Sequence, residues 1–408
     1  MKVLQINAVY EMGSTGHIVK DIHKLASQNG IDSHVAFAMS LSDEEEPSFY
    51  RIGNVLDRKI HAFLCRFGGK QAYFSHCATR SLIKYIKKLK PDIVHLHNLH
   101  SNYIHLNMLL EFLAKSDIKT IVTLHDCWLY TGGCFHYTIA NCNRWLEDCG
   151  ACPKRKKDTP AYLYDASKKI LRDRKKYFSR IPNLTMVGVS EWMRSEGAKT
   201  IFAKHKSVTI YNGVDTGFFQ PTVSDFRARY GIEEKFVVLG AANKWLASIN
   251  RKALEKVAKE LGADGVFVIF GCDRELKKDL PSNVIPIDYT YDRGVMRELY
   301  SMADVFANCT REESLSLVNI EAQACGTPVV TYRNTGAQET IDNESSFSVE
   351  SGNVEALLEK ILYIKKTGKK IHTEKCRQFV LNKFDRDKNY EKYVNLYKSI
   401  CQIGEYFQ

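Results

Sequence analysis

Two acidic residues in the second half of the sequence are spaced so that they can act on one ligand. Glu313 and Glu321 are separated by seven residues, and a helix is predicted to begin between them. A step of eight residues along a helix turns through about 800°, which is about 80° beyond two full turns. We therefore predict that the two carboxylates reach different parts of one extended ligand.

The predicted start of this helix offers a place for an anion. The first backbone N–H groups of a helix have no partner within it, and the helix dipole places partial positive charge there. In this sequence those groups belong to Ser314, Ser316 and Leu317 and their neighbours. The segment is therefore predicted to hold a diphosphate.

Strands that alternate with helical stretches predict an α/β protein with doubly wound parallel sheets. The pattern occurs in residues 1–205 and again in residues 206–385. A chain of 408 residues suits two domains of about 150–200 residues each better than one core. We therefore predict two Rossmann-like domains with these bounds, facing each other across a cleft. Residues 386–408 are predicted to form a helix that packs back on the first domain.

Positive charge is concentrated in the first half of the chain. Residues 1–200 carry 29 Lys and Arg against 19 Asp and Glu, whereas residues 201–408 carry 29 against 28. The first half is therefore predicted to face an anionic partner, such as a phospholipid surface, a phosphorylated acceptor or nucleic acid. The sequence has no recognisable DNA-reading helix or array of stacking aromatic residues, and this argues against nucleic acid.

Residues 58–70 combine this charge with an apolar stripe. Ile60, Phe63, Leu64 and Phe67 follow a helical period and are flanked by Arg and Lys. An ordinary surface helix would pack such a stripe inward, whereas a helix lying in a membrane interface would not. The concentrated charge favours the membrane. The basic run at residues 154–157 is either a solvated loop or a second contact with anionic lipid.

Four of the twelve cysteines, Cys134, Cys142, Cys149 and Cys152, lie close together in the sequence. They fall in a Cys-rich insertion at about residues 127–153, and the last two form a CxxC unit. Thiolate clusters with such spacing in reducing compartments often bind structural zinc. The sequence predicts a structural zinc at these four residues, with buried free thiols or a disulfide as the alternatives.

No apolar run reaches the length of about 18 residues that a membrane span needs. The first residues also lack the charged, apolar and cleavage regions of a signal peptide. We therefore expect a cytoplasmic protein that is peripheral at the inner face of the cell membrane.

Residues 311–330 resemble the Glu-x7-Glu signature of glycosyltransferase family 4. Other motifs of that family follow its order along nearly the whole chain: Thr-Leu-His-Asp at 123–126, Ser190, Asn-Gly-Val-Asp at 212–215, Gly336 and Glu339. The chain is most similar to the bacterial branch that makes capsule, exopolysaccharide and colanic-acid-type polymers. The resemblance implies the GT-B architecture and transfer of a sugar from a UDP- or GDP-sugar, with retention of configuration and no catalytic metal. The implied acceptor is lipid-linked or a polysaccharide.

The resemblance also assigns roles to single residues. As catalytic groups, Glu313 would contact hydroxyls of the transferred sugar, and His125 would lie beside that sugar. Glu321 would accept hydrogen bonds from the ribose diol. Backbone amides near Ser316 and Leu317 would hold the diphosphate of the donor.

The sequence departs from the family at two places. The loop from Gly13 to Gly16 would close over the phosphates, but it has Ser-Thr where the family has a glycine pair. The cationic segment of the second domain is lengthened and offers Lys244, Arg251 and Lys252. Lys252, together with either Lys244 or Arg251, would neutralise the leaving diphosphate, or the altered spacing would mean weakened catalysis.

Two other functions fit the same motifs. A GT-B sugar-nucleotide epimerase shares the fold but hydrolyses or isomerises its donor, and the basic first half argues against it. A catalytically inactive GT-B scaffold remains the alternative that the altered cationic segment suggests.

Overall fold

The computed structural model describes residues 1–41, 46–158, 161–273, 277 and 279–402. The chain divides into two compact units, Met1–Asn212 with Asp387–Gln408, and Gly213–Arg386. Residues 403–408 of the predicted C-terminal helix lie outside the described residues. In the described parts of the chain, none of the helices is both long enough and apolar enough to cross a bilayer.

The first unit is built on a parallel sheet. Its strands are β1 (Lys2–Tyr10), β2 (Asp32–Ser40), β3 (Phe49–Arg51), β4 (Ile93–Leu96), β5 (Lys119–Leu124), β6 (Leu184–Gly188) and β7 (Lys206–Thr209). They pair in the order β3-β2-β1-β4-β5-β6-β7. The connecting helices are α1 (Gly13–Gln28), α2 (Val55–Gly68), α3 (His76–Leu89), α4 (Leu106–Ala114), α5 (Ser167–Phe178) and α6 (Glu191–Gly197). The strand order reverses between β1 and β4, and in open parallel sheets ligands bind at the carboxyl ends of such strands.

The second unit repeats this topology. Its strands are β8 (Phe236–Ala241), β9 (Gly265–Cys272), β10 (Val284–Asp288), β11 (Val305–Asn308), β12 (Val329–Arg333) and β13 (Phe347–Glu350), in the order β10-β9-β8-β11-β12-β13. Its helices are α7 (Phe226–Arg229), α8 (Ala242–Trp245), α9 (Arg251–Leu261), α10 (Arg293–Met302), α11 (Leu317–Ala324), α12 (Val354–Thr367) and α13 (Lys370–Lys383). Here the order reverses between β8 and β11, so loops that follow these two strands are the expected ligand site.

The last helix, α14 (Arg386–Gln402), packs on the sheet of the first unit. Its buried tyrosines, Tyr390, Tyr393 and Tyr397, join the apolar cluster formed by β1, β4, β5 and α1. The hydroxyl of Tyr397 lies 2.7 Å from Nδ1 of His95 in β4. Helix α14 therefore completes the apolar core of the first unit.

The Cys-rich insertion has an aromatic core of its own. Trp145 is buried and packs against Tyr130 and Tyr137, with ring centroids 5.1 and 4.7 Å away. The buried guanidinium of Arg174 donates to the carbonyl of Thr131 at 2.6 Å and lies over the ring of Trp128. These contacts fasten the insertion to α5.

The structure does not support the predicted zinc site. All four cysteines are among the described residues, and their thiols are free: Cys134, Cys142, Cys149 and Cys152. Within the described chain, no three His, Cys, Asp or Glu side chains are arranged to hold a metal ion. The aromatic cluster and Arg174 supply the insertion with a core of its own.

Candidate active site

A lysine and a glutamate meet at the carboxyl ends of β8 and β11. Lys244 lies in α8, directly after β8, and Glu313 lies in the loop after β11. Nζ of Lys244 is 3.7 Å from Oε1 of Glu313. Oε2 of Glu313 is buried and has no hydrogen-bond partner among the described residues. The pair therefore leaves one carboxylate oxygen ready to accept a hydrogen bond from a ligand.

Buried donors hold the short helix α8 against β11. The indole Nε1 of Trp245 donates to the carbonyl of Ala307 at 2.8 Å. The amide Nδ2 of Asn250 donates to the carbonyls of Lys244 and Cys309, at 3.0 and 3.1 Å. Because these bonds link the segment after β8 to β11, they fix the backbone from which Lys244 extends.

The backbone of Glu313 is fixed from the opposite side. Its amide donates to Oγ1 of Thr335 at 2.9 Å, and the amide of Gly336 donates to its carbonyl at 3.0 Å. Asn334 donates through Nδ2 to the carbonyl of Thr310 at 2.8 Å. The loop after β11 is thus joined to the turn after β12, which contains the predicted motif residues Gly336 and Glu339.

The N-terminus of α11 is open. Ser316 precedes the helix but makes no side-chain bond to the described first turn, because its hydroxyl accepts from Nδ2 of Asn308 at 3.1 Å. The hydroxyl of Ser314 is buried without a partner in the described chain. The amides that begin at Leu317 and the hydroxyl of Ser314 therefore form a neutral set of donors suited to a phosphate group.

Glu321 lies in the middle of α11 in different surroundings. The hydroxyl of Tyr300 donates to its Oε2 at 3.0 Å. Burial raises the pKa of Glu321 to about 7, against the opposing effects of Tyr300 and the nearby Arg293. The guanidinium of Arg293 itself lies 5.1 Å from the ring centres of Phe218 and Phe219. Glu321 therefore exchanges its proton close to neutral pH.

The three cations predicted from the sequence lie in different environments. Lys244 pairs with Glu313. Arg251 donates to the backbone carbonyl of Asp279, and its Nε lies 3.4 Å from Glu255. Lys252 is exposed on the first turn of α9. Among the described residues, Lys244 is the predicted cation that pairs with Glu313, whereas Arg251 and Lys252 make no ion pair with it.

In the first unit, a hydrogen-bonded chain of polar side chains ends at His125. Nε2 of Gln5 donates to the carbonyl of Val19 at 3.4 Å. Oε1 of Gln5 therefore faces His97 and accepts from its Nε2 at 3.1 Å. Nδ1 of His97 is 3.0 Å from Nε2 of His125. Burial lowers the pKa of His125 to about 4 and that of His97 well below its usual range.

The neutral state of both rings fixes the tautomers. His97 carries its hydrogen on Nε2, so its Nδ1 accepts and Nε2 of His125 must donate. Nδ1 of His125 is left with a lone pair, buried and without a hydrogen-bond partner in the described chain. His125 therefore presents an acceptor for a ligand hydroxyl group.

The loop after β1 opens the N-terminus of α1. Gly13 has a φ of +59°, and Met12 before it provides no side-chain cap to the described helix. A Cβ at Gly16 would lie 3.1 Å from the amide nitrogen of Glu11, so this position needs glycine for the close approach of the loop to β1. Ser14 and Thr15 lie between these two glycines in the first turn of α1.

Sequence reasoning did not identify several residues that shape these sites. Tyr300 holds Glu321, Asn250 and Thr335 hold the Lys244–Glu313 pair, and Gln5 orients the histidines. Most of these contacts join segments on either side of a strand crossover, at separations from 21 to 92 residues, whereas Asn250 reaches the carbonyl of Lys244 over 6 residues. No local spacing in the sequence signals such a contact.

Two doubly wound units of this topology, with carboxylates and an open helix terminus at a switch point, define the class of the GT-B glycosyltransferases. The chain belongs to glycosyltransferase family 4. Residues 16–218 match the family model described as Glycosyltransferase Family 4, and residues 233–366 match the model described as Glycosyl transferases group 1. The predicted family and fold are confirmed, and the chain is a glycosyltransferase.

Individual proteins resemble the chain over different lengths. The putative colanic acid biosynthesis glycosyl transferase WcaC of Escherichia coli strain K12 is 20% identical over 374 residues, covering 88% of this chain and 90% of the relative. An Escherichia coli UDP-Gal:α-D-GlcNAc-diphosphoundecaprenol α-1,3-galactosyltransferase is 26% identical over 216 residues, covering 47% and 54%. The crystal structure of Anabaena HepE in complex with UDP-glucose has a TM-score of 0.64 at 14% identity, covering 98% of this chain and 100% of HepE. This last likeness concerns the fold.

Proposed function

We propose that this protein is a retaining glycosyltransferase of bacterial surface polysaccharide biosynthesis. It transfers a sugar, of the hexosyl type, from a nucleotide-diphosphate sugar to a lipid-linked or polysaccharide acceptor. The observation that carries the proposal is the Lys244–Glu313 pair at the switch point of the second sheet, in the same unit as the open N-terminus of α11. The names of the colanic acid and galactosyltransferase relatives support the polymer pathway, a UDP-linked donor and a lipid diphosphate acceptor.

The chemistry follows from the charges in the second unit. The bond between the anomeric carbon and the diphosphate oxygen breaks, and negative charge grows on the leaving diphosphate. Amides at Leu317, the Ser314 hydroxyl and Lys244 stabilise that charge. The acceptor oxygen bonds to the anomeric carbon on the face that the diphosphate leaves, and a departing phosphate oxygen takes the acceptor proton. These steps need no general base and no metal ion from the protein.

The remaining polar groups bind and orient. Glu313 accepts hydroxyl hydrogens of the transferred sugar through Oε2, while Lys244 holds Oε1. Glu321 accepts hydrogens from the ribose diol. In the first unit, Nδ1 of His125 accepts a sugar hydroxyl, and the amides that follow Gly13 face a phosphate group. Such positioning supplies much of the rate in transfers of this kind.

We also propose that the enzyme works as a peripheral protein at the inner face of the cell membrane. A lipid-linked acceptor is held in the bilayer, and the excess of Lys and Arg in residues 1–200 suits an anionic surface. The binding of nucleic acid is not part of the proposal.

The test is a screen of purified protein against UDP- and GDP-sugars, with binding by calorimetry and product analysis by NMR. We expect one donor to bind selectively and the new glycosidic bond to keep the donor's anomeric configuration. Lys244→Met should lower turnover by about 10²- to 10³-fold, the usual effect of removing one charge-stabilising group. Glu313→Gln should lower turnover as well, and chelation of divalent metal should not.

Lys256→Met is the matched control, because Lys256 is a partly exposed lysine of α9 paired with Glu355. The turnover of Lys252→Met and of Arg251→Met tests whether these two residues help to neutralise the leaving diphosphate, as the sequence predicts. An equal loss of turnover in Lys256→Met would contradict the proposed role of Lys244 in stabilising the leaving diphosphate. Donor isomerisation without transfer would identify an epimerase, and a folded protein that binds no donor would be a scaffold.

A further inference from the structure

Helix α2 turns its apolar stripe to solvent. Ile60, Phe63 and Phe67 are each at least 47% exposed, whereas His61 and Cys65 fill the inner face of the helix. The rings of Phe63 and Phe67 contact each other with centroids 4.9 Å apart. The stripe therefore does not serve the core of the first unit, as it would in an ordinary surface helix.

A second exposed apolar segment lies against the end of this helix. Tyr162, Leu163 and Tyr164 are each at least 62% exposed. The amide of Tyr162 donates to the carbonyl of Arg66 in α2 at 2.8 Å. A Cβ at Gly69, which follows α2 with a φ of +62°, would lie 2.7 Å from the carbonyl oxygen of Tyr164. The loop at residues 162–164 is thus seated on the C-terminus of α2.

Basic side chains accompany both segments. Lys59 and Arg66 are exposed on α2, and Lys156 and Lys157 are exposed just before the loop. Lys154 is not available to a partner, because it is buried and donates to the carbonyl of His136 at 2.7 Å. The basic run predicted as a lipid contact is therefore reduced to its later members.

We propose that α2 and residues 162–164 form one composite surface that inserts into the interface of an anionic phospholipid bilayer. The exposed aromatic and aliphatic side chains of α2 and of residues 162–164 enter the headgroup–acyl boundary, and the basic side chains contact lipid phosphates. Since the loop is bonded to the helix end, both segments insert as one body. The inference rests on the proposed function for its biological sense, because a lipid-linked acceptor resides in the membrane, but docking itself needs no donor.

Vesicle sedimentation tests the surface with the full chain. The probes are vesicles of phosphatidylcholine alone and of phosphatidylcholine mixed with phosphatidylglycerol. We expect binding only to the anionic vesicles, weakened by salt. Two double variants are compared: Phe63→Ser with Phe67→Ser, and Tyr162→Ser with Tyr164→Ser. Each should lower the partition coefficient about tenfold or more, because it removes two large side chains that the bilayer interface would bury.

The matched control is Val223→Ser with Ile371→Ser, two exposed apolar residues of the second unit. It should bind vesicles like the unaltered protein. Full binding by the Tyr162/Tyr164 variant would overturn the composite surface, and a concentration-dependent dimer abolished by the Phe63/Phe67 changes would identify a second copy of the chain as the occupant. Donor binding in solution, measured on the same variants, should be unchanged, so that failure of docking is distinguishable from failure of the proposed function.

The fluorescence of a tryptophan introduced at residue 163 reports whether the loop inserts into the bilayer. Three of the four native tryptophans, Trp128, Trp145 and Trp245, are buried, and the fourth, Trp192, is half-buried. The emission of the unaltered protein with the same vesicles is therefore subtracted from that of Leu163→Trp. Anionic vesicles should shift its emission to shorter wavelength, and brominated lipid should quench it. Val223→Trp should show neither effect. Unshifted emission at residue 163 in vesicle-bound protein would show that the loop stays in water.

Discussion

At the scale of the residue, the two acids of the signature are distinguished by their surroundings. Glu313 faces the ammonium group of Lys244 and keeps a free oxygen. Glu321 faces a tyrosine hydroxyl in a buried setting, and its pKa rises to about 7. The same residue type therefore supplies a fixed charge partner at one position and a group that titrates near neutrality at the other.

This difference predicts how donor affinity depends on pH. The ribose diol donates to the ionised carboxylate, so the proton that Glu321 takes up below about pH 7 competes with the donor. Affinity should rise with pH up to about 7, by at most about tenfold per pH unit, and level off above it. Calorimetry between pH 5.5 and 8.5, values chosen to bracket about pH 7, would measure it. A nucleotide sugar is the right probe, because it lacks the terminal phosphate that titrates near pH 6.

The control for this measurement is Glu321→Gln. Its affinity should be lower and nearly independent of pH in the same range. An unchanged slope in the variant would assign the titration to another group and remove Glu321 from the ribose site.

At the scale of the element, the site depends on a helix too short to be stable alone. Helix α8 spans Ala242–Trp245, and a single turn has no cooperative stability of its own. It is held by the indole of Trp245 and the amide of Asn250, both bonded to carbonyls at β11 and its end. The position of Lys244 is thus set by side chains that never touch a ligand.

We predict that Asn250→Ala lowers both stability and turnover. It leaves two carbonyls without their donor, at a cost of about 1–3 kcal/mol in the free energy of unfolding, and it releases the backbone of Lys244. Denaturant unfolding and steady-state transfer rates measure the two effects. Asn283→Ala is the matched control, because Asn283 donates in the same way to the carbonyls of Ala258 and Gly265. It should cost stability alone, and an equal loss of turnover in it would contradict the role of Asn250.

At the scale of the whole molecule, the two units differ in the balance of their buried titrating groups. Burial lowers the pKa values of several histidines in the first unit, most strongly those of His61, His95, His97 and His125. In the second unit, burial raises the pKa of Glu321 from 4.5 to about 7, and it lowers the pKa of His372. The histidines stay neutral in the folded unit, while Glu321 holds its proton more tightly in the folded unit than in the unfolded chain.

The first unit should therefore lose more stability in acid than the second, in which the raised pKa of Glu321 opposes the lowered pKa of His372. Below about pH 6.5 these histidines take up protons in the unfolded chain but stay neutral in the folded first unit. The stability of the first unit therefore falls toward pH 5, by up to about 1.4 kcal/mol per pH unit for each histidine. The contribution of Glu321 instead decreases as pH rises from about 4.5 to about 7. Hydrogen exchange under denaturant, read peptide by peptide, would follow each unit. His61→Gln should flatten the slope of the first unit, and a first unit equally stable at pH 5 and 7 would contradict the argument.

The sequence by itself determined the family, the two parallel-sheet units and the two carboxylates of the signature. These depend on features that are local along the chain: strand and helix periods, the eight-residue step from Glu313 to Glu321, and the amides at the start of α11. Local spacing fixes such features because each lies within one element or the turn beside it. The roles of the individual site residues stay predictions.

Only the tertiary structure decided which groups meet. It paired Glu313 with Lys244, gave Glu321 its buried tyrosine, aligned Gln5 with two histidines, and left the cysteines as free thiols around an aromatic core. It also turned the apolar face of α2 outward beside residues 162–164. The contacts of Glu313, Glu321, Gln5 and α2 each join segments separated by a crossover. Burial, which sets the pKa values, is a property of the packed unit. Neither can be read from spacing along a single strand or helix.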